Sequence, residues 1–170
     1  MTQYLDMTQT AGCVAIIPEN GETVVLTGVS VYSMPLSVKR KESEIYDDFA
    51  QKYGIHFIFD DCIPEIDFYA IPKIEIAATD NDGGFIASVG ESFSLRDTMP
   101  LIYISVDRKV FLITKDSREF LSIASEWKKG LVPYDDIRLY GSKDEARKDY
   151  PIIDFEQTEA YKRHIEVFGK

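Results

Sequence analysis

Cysteine is scarce in this chain: 170 residues carry two, Cys13 and Cys62, far apart and outside any CxxC or Cys/His cluster. That spacing encodes neither a disulfide-stapled scaffold nor a zinc site, and both side chains read as buried thiols of a reducing compartment. Histidine is equally scarce, with His56 expected at a strand edge and His164 on a solvated helix face. Neither has a second ligand at metal-binding spacing. No apolar run approaches membrane-spanning length, and residues 1–10 lack the basic-then-apolar order of a secretory leader, so a cytoplasmic location away from membranes is expected. The glycines form no GxGxxG and no P-loop, and Gly90-Glu91-Ser92-Phe93-Ser94 does not have the spacing of a nucleophile elbow. No repeat, low-complexity tract or long linker divides the chain, so residues 1–170 are read as one domain with no cofactor, no catalytic residue and no metal ligand assigned.

Positive charge is also in short supply, and its shortage is local. The formal net charge is −10, with fourteen Asp and Glu against three Lys and Arg between residues 42 and 107. The first 41 residues balance three against three, residues 108–130 carry six basic to three acidic, and the tail carries nine acidic to seven basic. Such a field repels a phosphate backbone and attracts a basic protein. Solubility alone is the plain alternative for an acidic surface.

What the chain does have is a dense run of strand patterning in residues 71–130. Ile74 and Ile76 alternate with Glu75, and Phe85, Ala87 and Val89 alternate with Ile86 and Ser88, the period of two expected of strands. Between them Asp80-Asn81-Asp82-Gly83-Gly84 supplies residues tolerant of positive φ, which predicts a hairpin. A second hairpin is predicted from Leu101-Ile102-Tyr103-Ile104-Ser105-Val106 and Val110-Phe111-Leu112-Ile113-Thr114 around Asp107-Arg108-Lys109. A helix follows, capped by Asp116 or Ser117, with Phe120, Ala124 and Trp127 at helical spacing and Gly130 at its end. The expected class is α+β, an antiparallel sheet of about four to six strands with helices packed on one face, because helix stripe and sheet face need each other for burial.

Upstream, Val14-Ala15-Ile16-Ile17 and Thr23-Val24-Val25-Leu26 flank Asn20-Gly21 and predict an N-terminal hairpin. Residues 43–53 place Ile45, Tyr46, Phe49, Ala50 and Tyr53 on one helical face, with Ser43 as N-cap and Gly54 just beyond the end, and residues 56–59 read as a strand. Downstream, Ser142 with Glu145 opens one short helix and Asp154 with Gln157 a second. Tyr161, Ile165 and Phe168 give the second an apolar seam, so residues 131–170 are expected to dock on the domain.

Candidate chemistry is confined to carboxylates. Asp80-Asn81-Asp82-Gly83 has part of a calcium-loop pattern, but Ala78 and Val89 stand where oxygen ligands are needed, and a hairpin turn is the better reading. Asp60 with Asp61 and Asp80 with Asp82 are adjacent acids in turn-like stretches, read as solvated.

The order Ile76-Ala77, Asp80, Gly83-Gly84-Phe85, Pro100 with Tyr103, Phe111-Leu112-Ile113 and Ser117-Arg118-Glu119-Phe120-Leu121 resembles the second half of SUKH-superfamily domains. The resemblance implies an α+β fold and, for bacterial members, a non-enzymatic role as immunity proteins that neutralise toxins. Joined to the charge pattern, it gives a protein-binding module with Asp60, Asp61, Asp80 and Asp82 as partner-facing groups for a basic toxin. The alternatives are an enzyme acting through cleft carboxylates and a general regulatory interaction domain.

Overall fold

The computed structural model describes residues 1–8, 21–90 and 98–169. The chain opens with β1 (Thr2–Asp6), β2 (Thr23–Thr27) and the short β3 (Val29–Val31). The proposed first strand of the N-terminal hairpin, at residues 14–17, and Cys13 lie outside the described residues. Two short helices follow, α1 (Leu36–Lys41) and α2 (Ser43–Asp48), and α2 continues into a π-helical turn, Phe49–Tyr53. Gly54 stops it at φ 66°, the left-handed region that glycine enters without steric cost. The N-cap position is Glu42, with no side-chain cap, so Ser43 is the first helical residue rather than the cap.

After β4 (Ile55–Phe57) and β5 (Tyr69–Ile71) comes the meander: β6 (Ile74–Asp80), β7 (Phe85–Val89), β8 (Leu101–Ile104) and β9 (Val110–Thr114). Its pairs are antiparallel, as the alternation predicts. The third strand ends at Ile104 instead of Val106, because Ser105 and Lys109 close a turn in which Arg108 sits at φ 63°. The predicted helix is a 3-10 turn, Ser117–Glu119, then α3 (Phe120–Ile123), then a second 3-10 turn, Ala124–Glu126. Asp116 caps it by accepting the Arg118 N–H.

The tail contains β10 (Val132–Pro133), β11 (Arg138–Tyr140), α4 (Lys143–Ala146), β12 (Ile152–Asp154) and α5 (Glu159–Phe168). Ser142 caps α4 through the Glu145 N–H. Asp154 does not cap α5; Thr158 does, accepting from Tyr161, because the Asp154 carboxylate is engaged by Lys143 and Arg147. Of the expected seam, Tyr161 packs edge-on against Phe155 and Ile165 is half-buried, while Phe168 is 74% exposed.

The fold is mixed α and β, but its sheets are not purely antiparallel. The main sheet has seven strands, ordered β10-β9-β8-β7-β6-β3 with β4 on the far half of β6. β3 runs parallel to β6 opposite Ile74–Ile76 and β4 antiparallel opposite Ala78–Asp80, since α1 and α2 carry the chain from one half of that edge to the other. A second sheet, β12-β1-β2, is parallel throughout. The third is the antiparallel pair β11-β5.

Both faces of the main sheet are buried. Ile74, Ile76, Phe85, Ala87, Ile102, Ile104 and Leu112 meet Ile58, Phe68 and Ile137 on one side. Ala78, Ile86, Leu101, Tyr103 and Ile113 meet Phe120, Ala124 and Trp127 on the other. A bulge between Ile76 and Ala78 makes β6 change faces part-way, by the two-against-one count of such irregularities. The helices cover only the second face, where Trp127 Nε1 donates to the Tyr53 carbonyl at 2.9 Å and ties the end of the 3-10 turn after α3 to the π-helical turn.

Candidate functional site

The helical face predicted for residues 43–53 does not meet the sheet squarely. Tyr46, Phe49, Ala50 and Tyr53 are half-buried and Ile45 is exposed, which leaves a groove between α2 and the segment that follows β4. Its volume is about 560 Å3, and Tyr46, Ala50, Phe57, Phe59 and Pro64 are among its lining residues. The rings are locked edge to face, with Tyr46 centred 5.6 Å from Phe57 and 5.1 Å from Phe59, and Phe49 5.2 Å from Phe57. Edge-to-face pairs of this kind contribute about 0.5–1.5 kcal/mol each beyond the area they bury. Burial, then Glu42, raises the Tyr46 phenol above its ordinary range, so it stays neutral.

Carboxylates surround this floor. Asp47 and Asp61 line the groove, and Glu42, Glu44, Asp48, Asp60 and Glu65 are exposed on the same two segments. Asp60 accepts from Ser33 Oγ at 2.6 Å, and Asp61 lies 3.6 Å from the Lys39 ammonium. Cys62, expected in the core, is exposed here, because it sits in the turn that its own N–H closes on the Phe59 carbonyl.

Asp80 and Asp82 belong to a different place. β4 runs antiparallel to β6 with Ile55 opposite Asp80, so Asp60, five residues on, lies roughly 15 Å from Asp80 at the rise of a strand. The four acids therefore do not make one patch. Asp82 is 68% exposed and meets Lys128 at 2.6 Å. The Asp80 side chain is fully buried, which corrects the expectation of a solvated, partner-facing acid. As the last residue of β6 it turns inward, accepting the Gly84 N–H at 2.7 Å, the Asp82 N–H at 3.1 Å and the Tyr103 hydroxyl at 2.9 Å, with Lys128 at 2.6 Å. Burial alone would raise its pKa, but Lys128, Gly84 and Tyr103 together outweigh it and hold the carboxyl below its ordinary range. Burial and Asp80 push the Tyr103 phenol up to about 12. Lys128 also rises to about 12, its two aspartates overcoming the opposing effect of burial. Gly84 is required by this packing, since a Cβ there would stand 2.5 Å from the Tyr103 ring.

Sequence reasoning passed over one further cluster. The parallel register of β1 and β12 sets Asp6 beside Asp154, and Lys143 bridges both carboxylates above a cavity of about 420 Å3 that Tyr69 and Phe155 help to line. Arg147 adds a second cation 3.0 Å from Asp154. Lys143 leads in holding the Asp154 carboxyl below its ordinary range, and it stays charged itself because Asp154 and Asp6 outweigh the effect of its burial. No local pattern marks this site, as its two acids are joined only by a pairing between opposite ends of the chain.

Among the described residues no group of three His, Cys, Asp or Glu is placed to hold a metal ion. His56 lies on β4 with Nε2 2.6 Å from Asn81 Oδ1, and His164 is exposed on α5. No described helix is long and apolar enough to cross a membrane. Comparison of the chain with family models, with curated proteins and with solved structures returns no match.

Proposed function

We propose that this chain is a non-enzymatic, SUKH-like protein-binding module, most concretely a cytoplasmic immunity protein that neutralises a basic toxin. The observation that carries the reading is the aromatic groove with Asp47 and Asp61 among its lining residues and more carboxylates on its flanks. An apolar floor inside a charged rim is the anatomy of a protein interface, in which the centre supplies affinity and the rim supplies steering. Asp60 and Asp61 are the partner-facing acids of this groove, and Asp82 adds to the field from the far end of β6. Asp80 drops out of the set, because a buried carboxylate with its donors filled cannot meet a partner.

The alternative, an enzyme using cleft carboxylates, has its best seat at Asp6 and Asp154. There Asp154 is held ionised by Lys143, whereas a general acid needs a raised pKa.

The test is the association rate of the product of the adjacent gene, measured against ionic strength. The rate is expected to fall as salt screens the rim, and to fall likewise when Asp60, Asp61 and Asp82 are replaced together by Asn. A salt-independent rate, or no binding, refutes the proposal.

A further inference from the structure

The groove already holds a cation of its own. Lys39, in the last turn of α1, carries its ammonium 5.0 Å from the centroid of the Phe59 ring and 3.6 Å from Asp61 Oδ2. The two halves of this contact are built differently. Phe59 is buried, clamped edge-on by Tyr46, and joined to Asp61 by the tight turn that the Cys62 N–H closes on the Phe59 carbonyl at 3.0 Å. The ring is therefore in place before anything arrives, and the turn holds the backbone of Asp61 beside it, with the Asp61 carboxylate itself exposed. Lys39 is a long, half-exposed side chain on a six-residue helix that has no side-chain cap and buries no residue.

From this asymmetry we infer that Phe59 and Asp61 form a receptor for a cationic side chain of the partner, arginine above lysine, and that Lys39 is a placeholder that leaves when the partner's cation enters. The inference rests on the groove being the partner surface and names the chemistry recognised there. An aromatic face beside a carboxylate attracts a cation by its quadrupole and by charge together. A guanidinium exploits both better than an ammonium, because its plane stacks on a ring while its fork meets a carboxylate. Ordering costs little on the receptor side, since the ring is already in place and only the short Asp61 side chain has to settle. Displacing Lys39 costs little too, because an exposed lysine–aspartate pair is weakly held. The surrounding acids Asp47 and Asp60 favour entry of positive charge, and Lys39 in its present position blocks it.

The experiment is an NMR titration of the intact protein with N-acetyl-Gly-Arg-Gly-amide, following the amides of Asp61 and Cys62, with the Gly-Gln-Gly peptide as neutral reference. Lys39→Ala is expected to tighten binding about two- to fivefold, the range of an exposed cation–ring contact. Lys41→Ala removes the same charge from the same helix at another exposed position and is expected to leave affinity unchanged. Asp61→Asn, at an exposed turn, is expected to weaken binding by a similar two- to fivefold factor. The inference is overturned if the arginine peptide binds no better than the neutral one, if Lys39→Ala matches Lys41→Ala, or if Asp61→Asn binds like the parent. A second arm repeats the variants with the adjacent gene's product. If the peptide arm gives the expected pattern and that product does not bind, the cation site stands and the immunity reading fails. If the product binds but neither arm responds to Lys39→Ala or Asp61→Asn, the reading stands and the cation site fails.

Discussion

Asp80→Ala tests whether the buried carboxylate holds the β6–β7 turn. The substitution removes the acceptor of the Gly84 N–H and of the Tyr103 hydroxyl, both buried, and of the more accessible Asp82 N–H. Each buried donor left without a partner costs about 1–3 kcal/mol. Lys128 is 41% exposed and regains water, so its lost ion pair adds at most about 1 kcal/mol. The total is about 2–7 kcal/mol, and its middle, about 4 kcal/mol, lowers Tm by roughly 10 °C in a chain of this length. Asp82→Ala, two residues away and 68% exposed, serves as control and should stay within about 0.5 kcal/mol of the parent. Acidity gives a second handle. The Asp80 carboxyl is depressed in the folded state, so its stabilisation is fully present above its ordinary pKa of 3.8 and lost as pH falls through the lower folded value. Urea midpoints of the parent and Asp80→Asn should accordingly converge below about pH 3.8. An Asp80→Ala penalty under about 1 kcal/mol, or one equal to that of Asp82→Ala, would refute the reasoning.

Phe120→Ala, in the core between α3 and the meander, should cost about 3–5 kcal/mol in urea unfolding, and a silent substitution would show that the helix does not hold this face. Cys62 should react with a thiol reagent in the folded protein without denaturant, and reaction only after unfolding would contradict its exposure. Tyr103 and Lys128 both have folded pKa values raised to about 12, from ordinary values of 10.0 and 10.5. Their stabilisation is complete below pH 10 and lost as pH rises through about 12, so Tyr103→Phe should flatten the alkaline loss of stability seen by circular dichroism.

Local signals in the sequence identified the meander well and the pairings around it poorly. Alternation at Ile74, Ile76, Phe85 and Ala87 reports burial directly, because a strand's side chains change face at every residue. The bulge after Ile76 and the early end of β8 depend on backbone details at Ala77 and Arg108 that no residue type dictates. β1 was invisible because Thr2–Asp6 carries no hairpin signal and pairs only with strands far away in sequence. The acids divide along the same line. Asp60 and Asp61 are exposed, as adjacent turn acids usually are, while Asp80 is buried because Tyr103 and Lys128 converge on it from other elements. Gly84 beside it was the available clue, being the one residue that leaves room for the Tyr103 ring.

The parallel β12-β1-β2 sheet also sets an order of events during synthesis. Thr2–Asp6 is made before the other described strands, and one of its two neighbours, Ile152–Asp154, is made after all of the β6–β9 meander. At the usual pace of about 5–20 residues per second, that edge of β1 waits about 7–30 seconds for its partner, while the β6–β9 meander has every one of its own strands in hand. The β12-β1-β2 sheet is thus closed after the meander, and the event that closes it is the synthesis of Ile152–Asp154.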